Sequence, residues 1–379
     1  MKVITSLFQN NLFVKEENKE NLLHEEAQLV VAFGSGSILK KSSCIEKIQL
    51  RYPNATICSC STAGEILGIE VFDETVSIVA LQFEKAYTKA VSLNINTEIL
   101  SYEAGKKLVS MLPKEDLKLI YVISDGTKVN GSELVKGLNF EKPKDLLITG
   151  GLAGDGTHFK ETFVGLNEIP QPGNIVAIGF YGDSLQVSSS SFGGWDSFGL
   201  EREVTKATSN VLCEIDHKNA LDLYKKYLGK HADELPAAAL LFPLAINKSA
   251  DEVIVRTILS IDEEAKTMTF AGDIPEGSKV RFMKANFDKL IDAASDAATN
   301  CLKSTNKVPK LTLLVSCVGR KMILGNRIDE EIEAISEIFE DKSALAGFYS
   351  YGEIAPLENY SNCELHNQTM TITCIDEIV

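Results

Sequence analysis

The hydrophobic and polar positions of the chain follow an arrangement that occurs three times. In each copy a run of apolar residues, typical of a buried strand, ends at a glycine, and an amphipathic helix follows. A second apolar strand then leads to another glycine with a carboxylate directly after it. The opening and closing glycines are Gly34 and Gly64, Gly126 and Gly154, and Gly319 and Gly352. Each copy therefore predicts a strand-helix-strand unit with small and acidic residues at a strand end.

Further strands are predicted between these units. β-Rich segments follow the first unit at Val76–Phe83 and Ala86–Leu93, and Val253–Ile261 and Leu365–Ile375 read as single strands later in the chain. A regular amphipathic helix is predicted from Phe287 to Leu302. Because strand-helix-strand units alternate with meanders, the sheets are expected to be mixed and not purely parallel.

The fold class predicted from this pattern is α/β, with mixed sheets built from repeated strand-helix-strand-meander units in two domains. A chain of 379 residues is too long for one ordinary core, which also favours two domains. We expect residues 1–24 to form a polar N-terminal lead. The first α/β domain is then predicted at 25–215 and the second at 216–379.

The composition of the chain limits which partners and which cellular location are expected. The net charge is −15, which argues against nucleic acid or anionic lipid as the main partner. The N-terminal region has no apolar segment typical of a signal peptide, and no apolar run is long enough to span a membrane. We therefore expect a cytoplasmic protein whose eight cysteines stay reduced. The spacing of Cys and His does not match a structural zinc site.

The repeated strand ends predict a ligand pocket. Glycine allows a ligand or another backbone to approach closely, and ligands of open α/β sheets bind beyond the carboxyl ends of strands. For a single copy, a tight strand-to-helix turn explains the glycine equally well. Three copies, each with an acid beside the glycine, favour a pocket lined by these strand ends.

Six motifs in this order resemble the FIST family, named for F-box and intracellular signal transduction proteins. They are Cys60-Ser-Thr-Ala-Gly-Glu-Ile66, Gly151-Leu-Ala-Gly-Asp155, Phe192-Gly-Gly-Trp195, Cys317-Val-Gly-Arg320, Gly347-Phe-Tyr-Ser-Tyr-Gly-Glu-Ile354 and Leu365-His-Asn-Gln-Thr369. The resemblance covers nearly the whole chain. It implies that the domain at 25–215 is FIST-N-like and that the domain at 216–379 is FIST-C-like.

The resemblance also implies a function. FIST-type regions are sensory input modules of bacterial signal transduction, and amino acids have been proposed as their ligands. The chain carries no fused kinase, cyclase or F-box, so its output is expected to pass through a partner such as a histidine kinase, a cyclic-di-GMP signalling protein or a chemotaxis-type protein. A haem-dependent nitric oxide sensor is the first alternative, because some members of the family resemble such sensors. Homo-oligomerisation stays open.

Charged residues near the strand ends suggest how an amino acid would be held. Arg320 follows a glycine after an apolar strand, and its guanidinium is suited to bind a carboxylate through two hydrogen bonds. Asp155 and Glu353 would then receive the ammonium group, and Glu65 is equivalent to them in the repeat. The competing interpretation, at about even odds, is a structural ion pair between Arg320 and Glu353 or Asp155.

Other candidate residues are uncharged. Gly154 and Gly352 are expected to let the ligand approach the backbone, while Asn367 lies in a motif shared with the family. Trp195 is expected either to wall the pocket or simply to pack.

Two residue types connect to the alternative functions. If haem is bound, the candidate axial ligands are His366 and His158, although a structural hydrogen bond is the more frequent role of such histidines. The second alternative is an enzyme that uses Cys317 as a nucleophile on an amino-acid-like substrate. A Cys in an apolar strand is more often simply packed, and Walker loops, nucleophile elbows and dinucleotide fingerprints are absent from the sequence.

Overall fold

The computed structural model describes residues 1–95, 99–235, 237–247, 253–357 and 360–378. Three six-stranded sheets share one inner hydrophobic core, and an outer sheet has a core of its own. The fold is therefore mixed α/β, as the sequence pattern predicts.

The order of the strands shows that each of the three inner sheets contains one of the repeated units. The first sheet runs Val164–Leu166, Thr56–Ser61, Leu29–Gly34, Val76–Gln82, Lys2–Gln9 and Leu12–Glu17. The second runs Cys363–His366, Gly352–Pro356, Leu147–Leu152, Leu117–Ser124, Asn174–Tyr181 and Tyr87–Asn94. The third runs Leu185–Phe192, Met370–Glu377, Leu311–Cys317, Ala344–Ser350, Glu65–Leu67 and Glu70–Phe72.

The two main strands of each unit pair in parallel, and an antiparallel strand adjoins them. The short strand that closes each unit joins the sheet of another unit. Glu65–Leu67, from the first unit, pairs with the third sheet; Gly352–Pro356, from the third, pairs with the second; Val164–Leu166, from the second, pairs with the first. This cyclic exchange binds the three units into one body with approximate threefold symmetry.

The outer sheet lies in the chain between the strand that ends at Phe192 and the helix that begins at Phe287. Its strands, in order, are Val253–Arg256, Leu244–Asn247, Lys279–Lys284, Asp196–Thr208, Val211–Ile215, Thr267–Phe270 and Ile258–Asp262, and Lys218–Asn219 pairs with Val211–Ile215. The sheet combines strands from both sides of residue 216. The domain limits predicted from the sequence stay a prediction.

Helices cover the outward faces of the inner sheets. The α-helices are Gly36–Leu39, Ser42–Arg51, Ser101–Met111, Gly131–Leu138, Ala220–Leu228, Phe287–Thr305, Val318–Leu324 and Ile328–Ile338, and the 3₁₀-helices are His24–Glu26, Gly229–Glu234, Ala237–Leu241 and Gly325–Arg327. Alternation along a strand explains the layers, because Leu29, Val31 and Phe33 enter the inner core while Val30 and Ala32 pack against the helical side. Strands buried on both faces read as continuous apolar runs in the sequence.

Three details differ from the sequence prediction. The predicted polar lead contains the strand Lys2–Gln9, which is buried in the first sheet although Lys, Glu and Asn dominate the segment as a whole. The segment predicted as one strand at Val253–Ile261 is interrupted at Thr257, and the one predicted at Leu365–Ile375 is interrupted between His366 and Met370. Both interruptions lie in the wall of a cavity.

Candidate functional site

Glu353, the carboxylate that closes the third unit, forms its hydrogen bonds with other groups of the protein. Glu353 is fully buried and accepts hydrogen bonds from the hydroxyl of Ser350 at 2.7 Å and from the backbone N–H and hydroxyl of Thr369 at 3.2 and 2.9 Å. Burial raises the pKa of this carboxyl to about 7, against the opposing effect of these hydrogen bonds and of the Arg320 charge. Glu353 thus fixes the chain segment beside Asn367.

The first unit repeats this arrangement. Glu65 accepts from the hydroxyl of Thr62 and from the backbone N–H and hydroxyl of Thr75, at 3.2 and 2.8 Å for the last two. Burial raises its pKa to about 7 as well. The equivalence with Glu353 extends to the types of donor and their order along the chain. Both acids therefore connect strand segments, and neither lines the apolar cavity described below.

Arg320 does not face a ligand. Its side chain is fully buried in the helix that follows the strand, and its Nε and Nη2 atoms donate to Glu331 at 3.0 and 2.8 Å. The remaining guanidinium bonds go to the carbonyl oxygens of Gly193 and Leu290, at 2.8 and 2.7 Å. An ion pair does form, but with Glu331 and not with Glu353 or Asp155. The zwitterion clamp expected from the sequence is not assembled in this geometry.

Asp155 shapes a loop. Its carboxylate accepts the backbone N–H groups of Phe159, Lys160 and Glu161 at 2.8, 2.9 and 3.0 Å, together with the hydroxyl of Tyr351. The carboxylate therefore holds four donors, in contrast to the free ammonium site expected from the sequence. Its effect is to fix Phe159 relative to Tyr351.

The two glycines permit close packing of protein against protein. A Cβ at position 154 would meet the backbone of Ala63 at 2.8 Å, and one at position 352 would meet Leu365 and Leu152 at 2.9 and 3.0 Å. Gly154 and Gly352 thus make room for neighbouring chain segments, which is the alternative role of glycine at a strand end.

A cavity of about 400 Å³ lies between the outer sheet and the third unit. Most of its wall is apolar. The lining residues are Phe159, Glu234, Leu235, Leu240, Thr257, Ile258, Leu259, Ala271, Cys317, Val318, Gly319, Tyr351 and Asn367. Of the candidate site residues named from the sequence, Cys317 and Asn367 line this cavity, and whether they bind a ligand stays a prediction.

Asn367 is the unusual member of this wall. It is 1% exposed, and neither its amide nitrogen nor its amide oxygen has a hydrogen-bond partner among the residues that the structure describes. The hydroxyl of Thr257 in the same wall also has none. Buried amides and hydroxyls are nearly always paired in native proteins, and an unpaired one costs stability. The amide of Asn367 is thus a buried polar group without a described partner beside this cavity.

Trp195 lies close behind this wall. Its indole N–H donates to the carbonyl oxygen of Gln368 at 2.9 Å, so the ring contacts the segment that carries Asn367 without lining the cavity. Because the chain has a single Trp, its fluorescence reports on this segment.

Cys317 lines the cavity as a thiol. Burial, and then the neighbouring Glu353 carboxylate, raise the pKa of Cys317 well above its usual range. A nucleophile requires the opposite shift. The geometry therefore gives this residue a packing role and lends no support to an enzyme that uses Cys317.

The residues proposed as haem ligands do not fit that group. His366 is buried with its Nε2 atom 3.0 Å from the carbonyl oxygen of Ala355, and it is not among the residues that line the apolar cavity. His158 is exposed and borders a different, polar cavity of about 290 Å³ that also contains Glu65, Asp73 and Glu74. Within the described residues, no cluster of three or more His, Cys, Asp or Glu side chains is placed to hold a metal ion.

Sequence reasoning missed several residues of the wall. Thr257 and Leu259 belong to a predicted strand that gave no sign of a site. Phe159 is an isolated aromatic residue in a loop. Tyr351 is the residue directly before Gly352, one of the repeated glycines. Only the position of Tyr351 within a repeated motif was a usable signal.

The fold is mixed α/β with an apolar cavity beside the third unit, and sequence comparison places the chain in a family. The FIST N domain profile matches residues 28–218 and the FIST C domain profile matches 220–356, so the chain belongs to the FIST family. FIST domains are sensory domains of signal transduction. The chain is also similar to the uncharacterized protein MJ1623 of Methanocaldococcus jannaschii, with 24% identity over 368 residues, covering 89% of this chain and 69% of that protein. No helix within the described residues is long and apolar enough to cross a membrane.

Proposed function

We propose that this protein is a non-catalytic sensor whose ligand occupies the cavity between the outer sheet and the third unit. The observation that carries the proposal is the buried amide of Asn367, which lies in the wall of a largely apolar cavity of about 400 Å³ and has no hydrogen-bond partner among the described residues. Sites for small ligands combine an apolar lining with a few polar groups that set orientation. The ligand therefore has an apolar body and one group able to exchange hydrogen bonds with a carboxamide.

An apolar amino acid, or an amide related to it, fits this description. The amide N–H of Asn367 would donate to a carboxylate or carbonyl oxygen, while the side chain of the ligand would lie against Leu235, Leu240 and Ile258. Glu234 is the acid among the lining residues and would receive the ammonium group. This arrangement replaces the Arg320 clamp, because that guanidinium is occupied by Glu331.

The position of the cavity suggests how binding is reported. Its wall combines Thr257 and Leu259 from the outer sheet with Cys317 and Asn367 from the third unit. A ligand that contacts both bodies changes the relative free energy of their arrangements, which is the requirement for a binding-driven switch. We propose that a separate signalling protein, such as a histidine kinase or a cyclic-di-GMP enzyme, responds to this change.

The test is a ligand screen that uses Trp195 fluorescence and thermal shift as independent readouts. Apolar amino acids and phenylacetamide are titrated into the wild-type protein and into Asn367→Leu. The matched control is Gln368→Met, because Gln368 also has a buried, unpaired amide but does not line the cavity.

We expect saturable binding by the wild type and by the control, and its loss in Asn367→Leu. Binding that is unchanged in Asn367→Leu would place the ligand elsewhere. The absence of binding by any of these compounds would exclude the proposed ligand class.

A further inference from the structure

Two aromatic rings separate the proposed ligand cavity from a second cavity. Phe159 and Tyr351 stack with their ring centroids 4.5 Å apart and an angle of 18° between the ring planes. Both rings line the cavity of about 400 Å³ and also a neighbouring one of about 320 Å³, bounded on its far side by the loop Gly126–Gly131. The ring pair is thus a wall shared by the two cavities.

The position of Phe159 is imposed by hydrogen bonds. Its φ angle is 53°, a left-handed conformation that is uncommon for a bulky residue and persists only where the surroundings hold it. Its N–H donates to Asp155 and to the Tyr351 hydroxyl, at 2.8 and 3.1 Å. The Tyr351 hydroxyl is in turn bonded to Asp155 and accepts the backbone N–H of Asp155 at 3.1 Å.

The ring of Phe159 is not required for the core. It stays 44% exposed although it is held in place by this network. The loop that carries this large ring is fixed by four hydrogen bonds to an acid, and the ring is left partly open at a cavity, so it offers an aromatic surface to a molecule that enters the cavity. Aromatic surfaces of this kind favour a flat ring over a puckered one, because stacking adds to the burial of area.

We infer that Phe159 and Tyr351 form an aromatic wall that selects ligands with a flat apolar ring, and that Asp155 is the positioning residue of this wall. The inference rests on the proposed function, since it assigns the ring class of the ligand whose polar group meets Asn367. Phe159 is then the residue that determines specificity. Asp155 acts on the ligand only through the loop that it holds.

The experiment compares two probes with the same amide and six-carbon rings of different shape, phenylacetamide and cyclohexylacetamide. Their dissociation constants are measured by Trp195 fluorescence for the wild type, Phe159→Leu and Asp155→Asn. Phe140→Leu is the control for the first variant, because Phe140 has nearly the same exposure, 43%, and does not line either cavity. Asp262→Asn is the control for the second, because Asp262 also accepts two backbone N–H groups, in a turn outside the cavities.

The wild type and both controls are expected to bind the flat probe about 2- to 10-fold more tightly, which is the range that aromatic stacking supplies. In Phe159→Leu and Asp155→Asn this ratio falls to about one. A merely structural role of Asp155 would weaken both probes equally and leave the ratio unchanged.

The outcomes separate the two proposals. Equal affinity of the wild type for both probes, or a preference that survives in Phe159→Leu, overturns the aromatic wall while the Asn367 site stands. Failure of the wild type to bind either probe overturns the Asn367 site and the aromatic wall together. Phe159→Leu changes a partly exposed side chain and is expected to fold, so the result does not depend on Asp155→Asn.

Discussion

Replacing Asn367 by leucine is expected to make the protein more stable and unable to bind its ligand. The side chain is 1% exposed and both polar atoms of its amide are unpaired. Leucine has a similar shape and no polar atoms. The folded protein therefore no longer carries the desolvation cost of the amide, while its packing changes little.

The size of the gain follows from the cost of an unsatisfied buried polar group, which is about 1–3 kcal/mol. Unfolding entropy of about 2.1 cal/mol/K per residue converts this free energy into a rise in Tm of about 1–4 °C for a chain of 379 residues that unfolds as one unit. Gln368→Met should gain a similar amount, because its amide is also buried and unpaired. We therefore expect the two variants to have similar stability but to differ in ligand binding.

Urea unfolding followed by Trp195 fluorescence measures the effect, with the midpoint compared at unchanged m-value. The indole is bonded to the carbonyl of Gln368, so its signal reports directly on this segment. A loss of stability in Asn367→Leu would refute the reasoning, because it would show that the amide makes a favourable interaction in the free protein. The argument for a ligand at this residue would then lose its basis.

Three further predictions concern buried groups. Between pH about 4.5 and about 7, Glu65 and Glu353 bind more protons in the folded protein than in the unfolded chain, so stability falls as pH rises through this window. Replacing both residues by glutamine should flatten the pH dependence of urea unfolding in this window. Each acid should account for roughly 3 kcal/mol of that dependence. Arg320→Met leaves the Glu331 carboxylate buried without its cationic partner, with only the hydroxyls of Ser316 and Tyr349 as donors among the described residues. The variant should cost about 3–5 kcal/mol in the same assay, and a cost below about 1 kcal/mol would contradict the buried ion pair. Iodoacetamide at pH 7 should modify Cys213, the one cysteine that is not buried, and leave Cys317 unmodified in peptide mapping; rapid modification of Cys317 would revive an enzymatic role.

The repeated units were predictable because each contains several strong local sequence signals. The apolar strands, the intervening helices and the closing glycines are visible in the sequence, and the structure confirms a parallel strand pair in each copy. The exchange of closing strands was not predictable. Glu65–Leu67 and Val164–Leu166 have three residues each, and Glu65–Leu67 pairs with a strand almost 280 positions away in the chain, so no local pattern identifies the partner.

The site was predictable only in part, because the sequence does not show in which direction a side chain at a strand end points. A residue at the end of an apolar strand can turn toward solvent, toward a cavity or back into the protein, and the sequence does not distinguish these directions. Cys317 and Asn367 line the cavity, whereas Arg320 turns inward to Glu331 on the next long helix. The break at Thr257 is a tertiary effect, since most of the residues from Val253 to Ile261 are β-branched and favour a strand.

Approximate threefold symmetry by itself does not explain why an apolar cavity forms at the third unit. Glu65 and Glu353 occupy equivalent positions with equivalent partners, yet the first unit borders a polar cavity with Asp73 and Glu74 in its wall. The first and third units differ in the outer sheet, which is inserted before the long helix of the third unit. This sheet places Ile258, Leu259 and Ala271 over the end of the strand at Cys317.

These side chains give the end of the strand at Cys317 a largely apolar surrounding. If the ligand binds there as proposed, its hydrogen bond to Asn367 contributes more than the same bond would in a polar cleft, because hydrogen bonds are stronger in apolar surroundings. Under the proposed function, the insertion makes one of three similar strand ends the place where the amide of Asn367 orients the ligand. Shortening the outer sheet near Leu259 should accordingly abolish binding more completely than any change at the polar cavity of the first unit.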